Sequence, residues 1–174
     1  MGFKHPGNGF CTYDGHWRTD ALHGEGTFTC CDGRRYVGGW QDGKRHGEGM
    51  QVMCPLRERG DTMRHHIGGI DGMYRIVLYE GAWDDGERTG EGEIEYADGL
   101  RIRGVFARGR LEGCCEHFWA SGAAKVANWK NGNFVDWDLA ESAVLQAKLT
   151  AANFMGAGVG TSDRRKSMLQ GDYR

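Results

Sequence analysis

Large apolar and small or polar positions alternate over short stretches of the chain, and the stretches recur. In Tyr36-Val37-Gly38-Gly39-Trp40, period-two alternation puts Tyr36, Gly38 and Trp40 on one face of a strand. Asp42-Gly43 follows, a strong tight-hairpin signal. On the returning strand Gly47, Gly49, Gln51 and Met53 share a face, so large rings meet bare backbone. Glycine inside a strand normally weakens it, and its recurrence beside aromatic positions predicts rings packed closely over glycine sites.

The unit repeats with a period of 23 residues. Tyr13-Asp14-Gly15-His16-Trp17 and Tyr79-Glu80-Gly81-Ala82-Trp83 match it closely; Ile102-Arg103-Gly104-Val105-Phe106 and Lys125-Val126-Ala127-Asn128-Trp129 match it in weaker form. The aromatic column Trp17, Trp40, Trp83, Phe106 and Trp129 steps by 23, 43, 23 and 23, so 20 additional residues lie between Cys54 and Tyr79. A Gly-x-Gly recurs as Gly24-Glu25-Gly26, Gly47-Glu48-Gly49 and Gly90-Glu91-Gly92, decaying to Gly113-Cys114-Cys115. Further turns at Asp32-Gly33, Asp98-Gly99 and Ser121-Gly122 lead from unit to unit. The predicted fold is mainly β: an elongated, twisted, single-layer antiparallel sheet of successive hairpins, quasi-one-dimensional and in need of capping at both ends.

The period breaks twice. The insertion, at about residues 55–75, shows no sustained pattern and reads as a long loop of the kind that projects from one face of a repeat protein. Beyond Gly132, Asp138-Leu139-Ala140-Glu141 reads as a capped helix start, and the helix runs to Met155. On its wheel Ala140, Ala143, Val144, Ala147, Ala151, Phe154 and Met155 form one face, expected to dock on the sheet end, while Leu145, Leu149 and Ala152 form a second, expected to receive a partner chain. The organisation is therefore a lead-in over residues 1–12, which could be a truncated unit, an array over 13–134, a helical segment over 135–156 and a polar tail over 157–174.

Composition narrows the function classes. Glycine supplies 30 of 174 residues, well above the usual share, yet only two prolines occur and no strict third-position glycine, which excludes a collagen-like chain. A net charge of −2 makes no case for nucleic acid. No apolar run reaches the roughly 18 residues of a membrane span. The six cysteines include two adjacent pairs, which cannot close ordinary loops, and are read as thiols of a reducing, intracellular compartment.

A search for chemistry returns little. No glycine cluster ends in Gly-Lys-Ser/Thr, no C-x-x-C spacing occurs, and the adjacent His65 and His66 point apart on any regular element, so no catalytic, cofactor-binding or metal residue is assigned. Glu25, Glu48 and Glu91 form one carboxylate per hairpin, expected to be a solvated ladder that Glu93 and Glu95 extend, with Arg45, Arg88 and Arg101 as possible neighbouring charges.

With Tyr13, Trp17, Tyr36, Trp40, Tyr79, Trp83, Phe106 and Trp129 as its aromatics and Gly24, Gly26, Gly47, Gly49, Gly90 and Gly92 as its glycines, the chain resembles the MORN repeat family. That family's pattern is Y-x-G-x-W-x-x-G-x-x-x-G-x-G followed by a D-G turn, and the likeness covers about Tyr13 to Gly132. Units four and five have lost the tyrosine, and unit five its first glycine. The resemblance implies a non-catalytic scaffold within a cytoskeletal assembly, including cilia and flagella, or else a peripheral module that binds acidic phospholipid; a regulatory subunit of an enzyme encoded elsewhere is a third reading.

Charge bears on the choice. Tyr79 to Gly99 carries a net −7, which an anionic bilayer repels. The insertion, with Arg57, Arg59, Arg64 and Arg75 against three carboxylates, is no polybasic patch, and Arg164-Arg165-Lys166 reads as a solvated run. The expectation is protein partners in a larger assembly, weak or no membrane binding, no nucleic acid and no small-molecule substrate. Leu145, Leu149, Arg57, Arg59 and Arg64 are the candidate partner-binding residues.

Overall fold

A computed structural model describes residues 2–4, 10–53, 62–67 and 70–154, with side chains over 10–53 and 76–152. Among the described residues twelve strands precede one helix: β1 (Gly2–Lys4), β2 (Phe10–Arg18), β3 (Ala21–Cys30), β4 (Arg35–Gln41), β5 (Lys44–Val52), β6 (Thr62–Ile67), β7 (Ile70–Asp84), β8 (Glu87–Tyr96), β9 (Arg101–Ala107), β10 (Arg110–Phe118), β11 (Ala124–Lys130), β12 (Asn133–Asp138) and α1 (Leu139–Phe154). They form one open antiparallel sheet in the order β1-β2-β3-β4-β5-β7-β8-β9-β10-β11-β12, with β6 paired to the first half of β7.

The two-residue hairpins read from Asp-Gly and Asn-Gly are present. Asp42, Asp85 and Asn131 have φ near +50° and the glycines after them near +80°, the paired positive angles of a type I′ turn. Each tip is also clamped to the preceding unit. The N–H of Gly43, Gly86, Gly109 and Gly132 donates to the carbonyl of Leu22, Arg45, Arg88 and Leu111, in each case at 2.9 Å.

The insertion corrects the expectation of a long loop. Residues 62–67 pair with 70–75, from Thr62↔Arg75 to Ile67↔Ile70, as a hairpin of its own. Gly68-Gly69 between the two strands is a two-residue turn sequence, but the flanking strands do not carry the 23-residue pattern. The array closes behind the insertion without interruption, since Gly49 pairs with Gly81 across β5 and β7 just as Gly26 pairs with Gly38 across β3 and β4.

The last unit ends the array by reversing its sizes. The small pair Gly15↔Gly26, Gly38↔Gly49 and Gly81↔Gly92 becomes Ala127↔Trp137. At the position of the tyrosines stands Lys125, whose ammonium lies 5.1 Å from the centroid of the Trp137 ring. The bulky side chain has moved to the strand that elsewhere supplies the glycine, so no further ring can be laid over it.

Helix α1 starts on its predicted cap, with Asp138 Oδ1 accepting from the Glu141 N–H at 3.0 Å. It covers the part of β11 that β12 does not reach. Ser142 Oγ accepts from Val126 N–H at 2.8 Å and Gln146 Oε1 from Ala124 N–H at 2.9 Å, satisfying edge donors that would otherwise lack partners.

The docked face is the opposite of the one expected. Leu145 is 9% exposed and packs with Ala124 and Val126, with Leu149 and Phe118 against them. Val144 is 46% exposed, and Ala140, Ala143, Ala147 and Ala151 face outward. The physical reason is that the polar Ser142 and Gln146 are recruited by unpaired backbone on β11, and the leucines beside them follow.

Candidate interaction surface

One face of the sheet is an unbroken file of rings. Trp17–Tyr13, Tyr13–Trp40, Trp40–Tyr36, Tyr36–Trp83, Trp83–Tyr79 and Tyr79–Phe106 all meet edge to face, with centroids 5.4, 5.6, 5.0, 5.5, 5.1 and 5.1 Å apart. Such geometry sets the positive edge of one ring against the negative face of the next. The hydroxyls of Tyr13, Tyr36 and Tyr79 donate to the carbonyls of His16, Gly39 and Ala82 at 3.1, 3.0 and 2.9 Å. The phenol thereby bends over Gly26, Gly49 or Gly92, where a Cβ would collide with it. Indole Nε1 of Trp40 and Trp83 donates to the carbonyls of Gly26 and Gly49 at 3.4 and 3.3 Å, tying each unit to the one before. Phe106 and Trp129 are buried in the same core.

The fifth residue after each aromatic, Leu22, Arg45, Arg88, Leu111 and Phe134, lies on this ring face as well. Arg45 sits 4.0 Å above the Trp83 ring and donates from Nη2 to the Gly86 carbonyl at 3.1 Å. Arg88 lies 5.4 Å from the centroid of Tyr79 and 5.7 Å from that of Phe106, and its Nη1 is buried without a hydrogen-bond partner. Burial lowers the pKa of both guanidiniums. Among the described residues neither Arg45 nor Arg88 forms an ion pair with the carboxylate column, contrary to the expectation from spacing; Arg101 does, at Glu93.

Glu25, Glu48 and Glu91 occupy the other face and are exposed. Glu93 is 8% exposed, held by Arg103 at 3.1 Å and Arg101 at 3.6 Å, with Arg103 also 3.9 Å from Glu116. The expected ladder is thus solvated at its first three positions and closed into an ion-pair group at Glu93.

A third surface lies along the hairpin tips. Arg18 pairs with Asp42 at 3.1 Å and His46 with Asp84 at 3.3 Å, while Lys44 reaches Asp85. Gln41, Asp42, Lys44, His46, Asp84 and Asp85 line an open cleft of about 280 Å³ there. Among the described residues, no three His, Cys, Asp or Glu side chains converge as a metal site would require.

Two further features were not read from the sequence. The β2–β3 register sets Cys11 opposite Cys30, with a Cα–Cα separation of 4.1 Å, and joins them as a disulfide. This corrects the reading of all six cysteines as thiols, because a cross-strand pairing depends on register, which the spacing of the cysteines does not carry. Cys115 is a free thiol, pushed up to about 12 by burial.

His117 is the other. It is fully buried, stacks on Trp119 and Trp129 at 6.0 and 5.7 Å, and meets Trp137 edge-on at 5.2 Å. Burial lowers its pKa to about 4. The only sequence signal was the density of tryptophan around it.

Of the candidate partner-binding residues, Leu145 and Leu149 are packed inside, as described. Arg64 lies on β6, and Arg57 and Arg59 fall outside the described residues, as does the run Arg164-Arg165-Lys166.

An open sheet of like hairpins, joined by recurring ring contacts and tip clamps, defines the class: a β-hairpin repeat array. The family model of the MORN repeat matches residues 13–34, 36–52 and 79–101, and the chain is a MORN repeat protein. The three matched segments are the units in which tyrosine, tryptophan and the glycine pair are all retained. No curated protein matches the chain.

Proposed function

We propose that this protein is a non-catalytic scaffold that presents its sheet and tip surfaces to protein partners. The observation that carries the reading is the uninterrupted ring file from Trp17 to Phe106, which continues across the insertion through the Tyr36–Trp83 contact. The rings on that face hold neighbouring units together, which stiffens the array and leaves the charged face and the tips for recognition. MORN β-hairpins are a non-enzymatic repeat type, which supports the non-catalytic reading.

Placement in a cytoskeletal assembly, a cilium or flagellum by family habit, is part of the same proposal. The experiment is chemical cross-linking of the tagged protein in cells, with fractionation before and after detergent extraction. The expected outcome is retention in the detergent-resistant fraction with protein cross-links to the described surfaces. Release of the whole pool with the membrane lipids, or a pool without cross-linked proteins, would overturn it.

A further inference from the structure

The tips of the five hairpins stand side by side along one edge of the sheet, and their charge changes sign along the row. Ion pairs step from each of the first three tips to the next, Arg18 to Asp42, then Lys44 to Asp85 and His46 to Asp84. Beyond tip three the stepping stops. Glu87 on tip three, Arg108 and Arg110 on tip four and Lys130 on tip five are exposed, and none of them makes a side-chain hydrogen bond or ion pair among the described residues. Tip three thus presents three carboxylates, Asp84, Asp85 and Glu87, beside two arginines and a lysine on the tips that follow. The stem of Arg110 runs against Gly132, which places this side chain between tips four and five. The open cleft of about 280 Å³, with Asp42, Asp84 and Asp85 in its wall, lies in the corresponding position between tips two and three.

We propose that the tip edge is a contact surface between two copies of this chain, related by a twofold axis that passes between tips three and four. Adjacent patches of opposite sign are self-complementary under a twofold, because each patch of one copy then meets the other patch of its mate. The carboxylates of tip three face Arg108 and Arg110 of the second copy, and the reciprocal contact repeats the pairing. The same axis sets the cleft between tips two and three opposite the space between tips four and five, where Arg110 and Lys130 stand. A carboxylate that already accepts from Lys44 or His46 keeps lone pairs for a second donor, so the existing pairs need not break. A parallel arrangement of two edges would set like charge against like. An anionic bilayer laid on this edge would meet the three carboxylates together with the arginines. The dimer goes beyond the scaffold reading and does not rest on it.

The test is sedimentation equilibrium of the full chain, with the exposed thiols of Cys31 and Cys114 blocked so that no disulfide links two copies. A monomer–dimer equilibrium is expected at about 20 mM salt, with the dissociation constant raised at least about tenfold at about 500 mM, since the paired charges are exposed. Two variants then exchange the charges. The first carries Arg108→Asp and Arg110→Glu; aspartate is the residue that tips two and three hold at the positive φ of Arg108, so the turn is kept. The second carries Asp84→Lys and Glu87→Lys. Circular dichroism establishes that both fold. Each variant alone should sediment as a monomer at low salt, because like charges now face each other across the axis, whereas an equimolar mixture should dimerise. A native chain that stays monomeric at low salt up to about 1 mM would overturn the proposal. So would a dimer that persists in either variant alone, which would place the contact elsewhere, or a mixture that fails to associate.

Discussion

At the scale of single residues, the two glycines of each Gly-x-Gly are required for different reasons. Gly24, Gly47 and Gly90 have φ of +65°, +71° and +57°, in the left-handed region, and around Gly47 there is open space. Gly49 has ordinary backbone, but a Cβ there would strike the Tyr36 ring. Asparagine tolerates the left-handed region, so Gly47→Asn should cost under about 1 kcal/mol, whereas Gly49→Asn should cost about 1–3 kcal/mol through overpacking. Chemical denaturation of the two variants checks the order, and equal losses would refute it. The sequence placed rings over glycine correctly for the second position and had no means of separating it from the first, since a positive φ leaves no mark beyond the glycine itself.

His117 carries a pH dependence of definite sign. The groups facing it are the Cys115 thiol on its own strand, Lys125 on β11 and the indoles of Trp119, Trp129 and Trp137; its Nδ1 lies 3.2 Å from the Cys115 carbonyl. Its pKa is about 4 in the folded chain against 6.5 for an ordinary histidine. As pH falls below 6.5 the unfolded chain takes up a proton that the folded chain refuses until about pH 4. Stability therefore declines across that window and the decline ends beneath it, amounting to at most about 3 kcal/mol. The loss should appear as the difference between the native chain and His117→Phe in denaturation curves between pH 7 and pH 4. Parallel profiles would mean that the ring is solvated.

At the scale of elements, the helix and the first hairpin each turn on a contact between segments. Leu145 and Leu149 pack on β11, so Leu145→Gln with Leu149→Gln should lower the melting temperature and cost about 2–5 kcal/mol. An unchanged melting point would return those leucines to the surface. The Cys11–Cys30 bond closes a loop with a sequence separation of 19, for which chain-entropy arguments give about 3 kcal/mol. Thermal melts with and without dithiothreitol should differ by that order, and Cys11→Ser should abolish the difference. A reducing compartment would open the bond, so this measurement also gives the stability available to the first unit there.

At the scale of the whole molecule, the array has polarity and a defined end. Tyrosine ring contacts run through units one to three, tip clamps join the second to fifth units each to the one before, and Trp137 with Lys125 closes the series where α1 takes over the edge of β11. The exposed carboxylates Glu25, Glu48 and Glu91 lie together on the face opposite the rings. Vesicles of phosphatidylserine should therefore float little of the protein at physiological salt, where charge attraction is already screened beyond about 8 Å. Strong flotation that vanishes on neutralising Arg164, Arg165 and Lys166 would favour a lipid-binding function instead.

The sequence by itself determined the hairpins, their two-residue turns, the 23-residue unit, the order of the rings and the capped start of the helix, because each depends on residues close together in the chain. Asp42-Gly43 needs no distant partner to turn, and Tyr36 and Trp40 share a face by the geometry of one strand. Tertiary structure alone decided which face of α1 docks, that Cys11 meets Cys30, that the insertion pairs with itself and that His117 is enclosed by indoles. It also decided that Arg45 and Arg88 lie over rings and not beside glutamates. Those outcomes depend on strand register and on which backbone groups are left unpaired at an edge, quantities that arise only when separate segments are brought together. The helix shows the physics most plainly: side-chain periodicity offered two apolar faces, and two unsatisfied N–H groups on β11 chose between them.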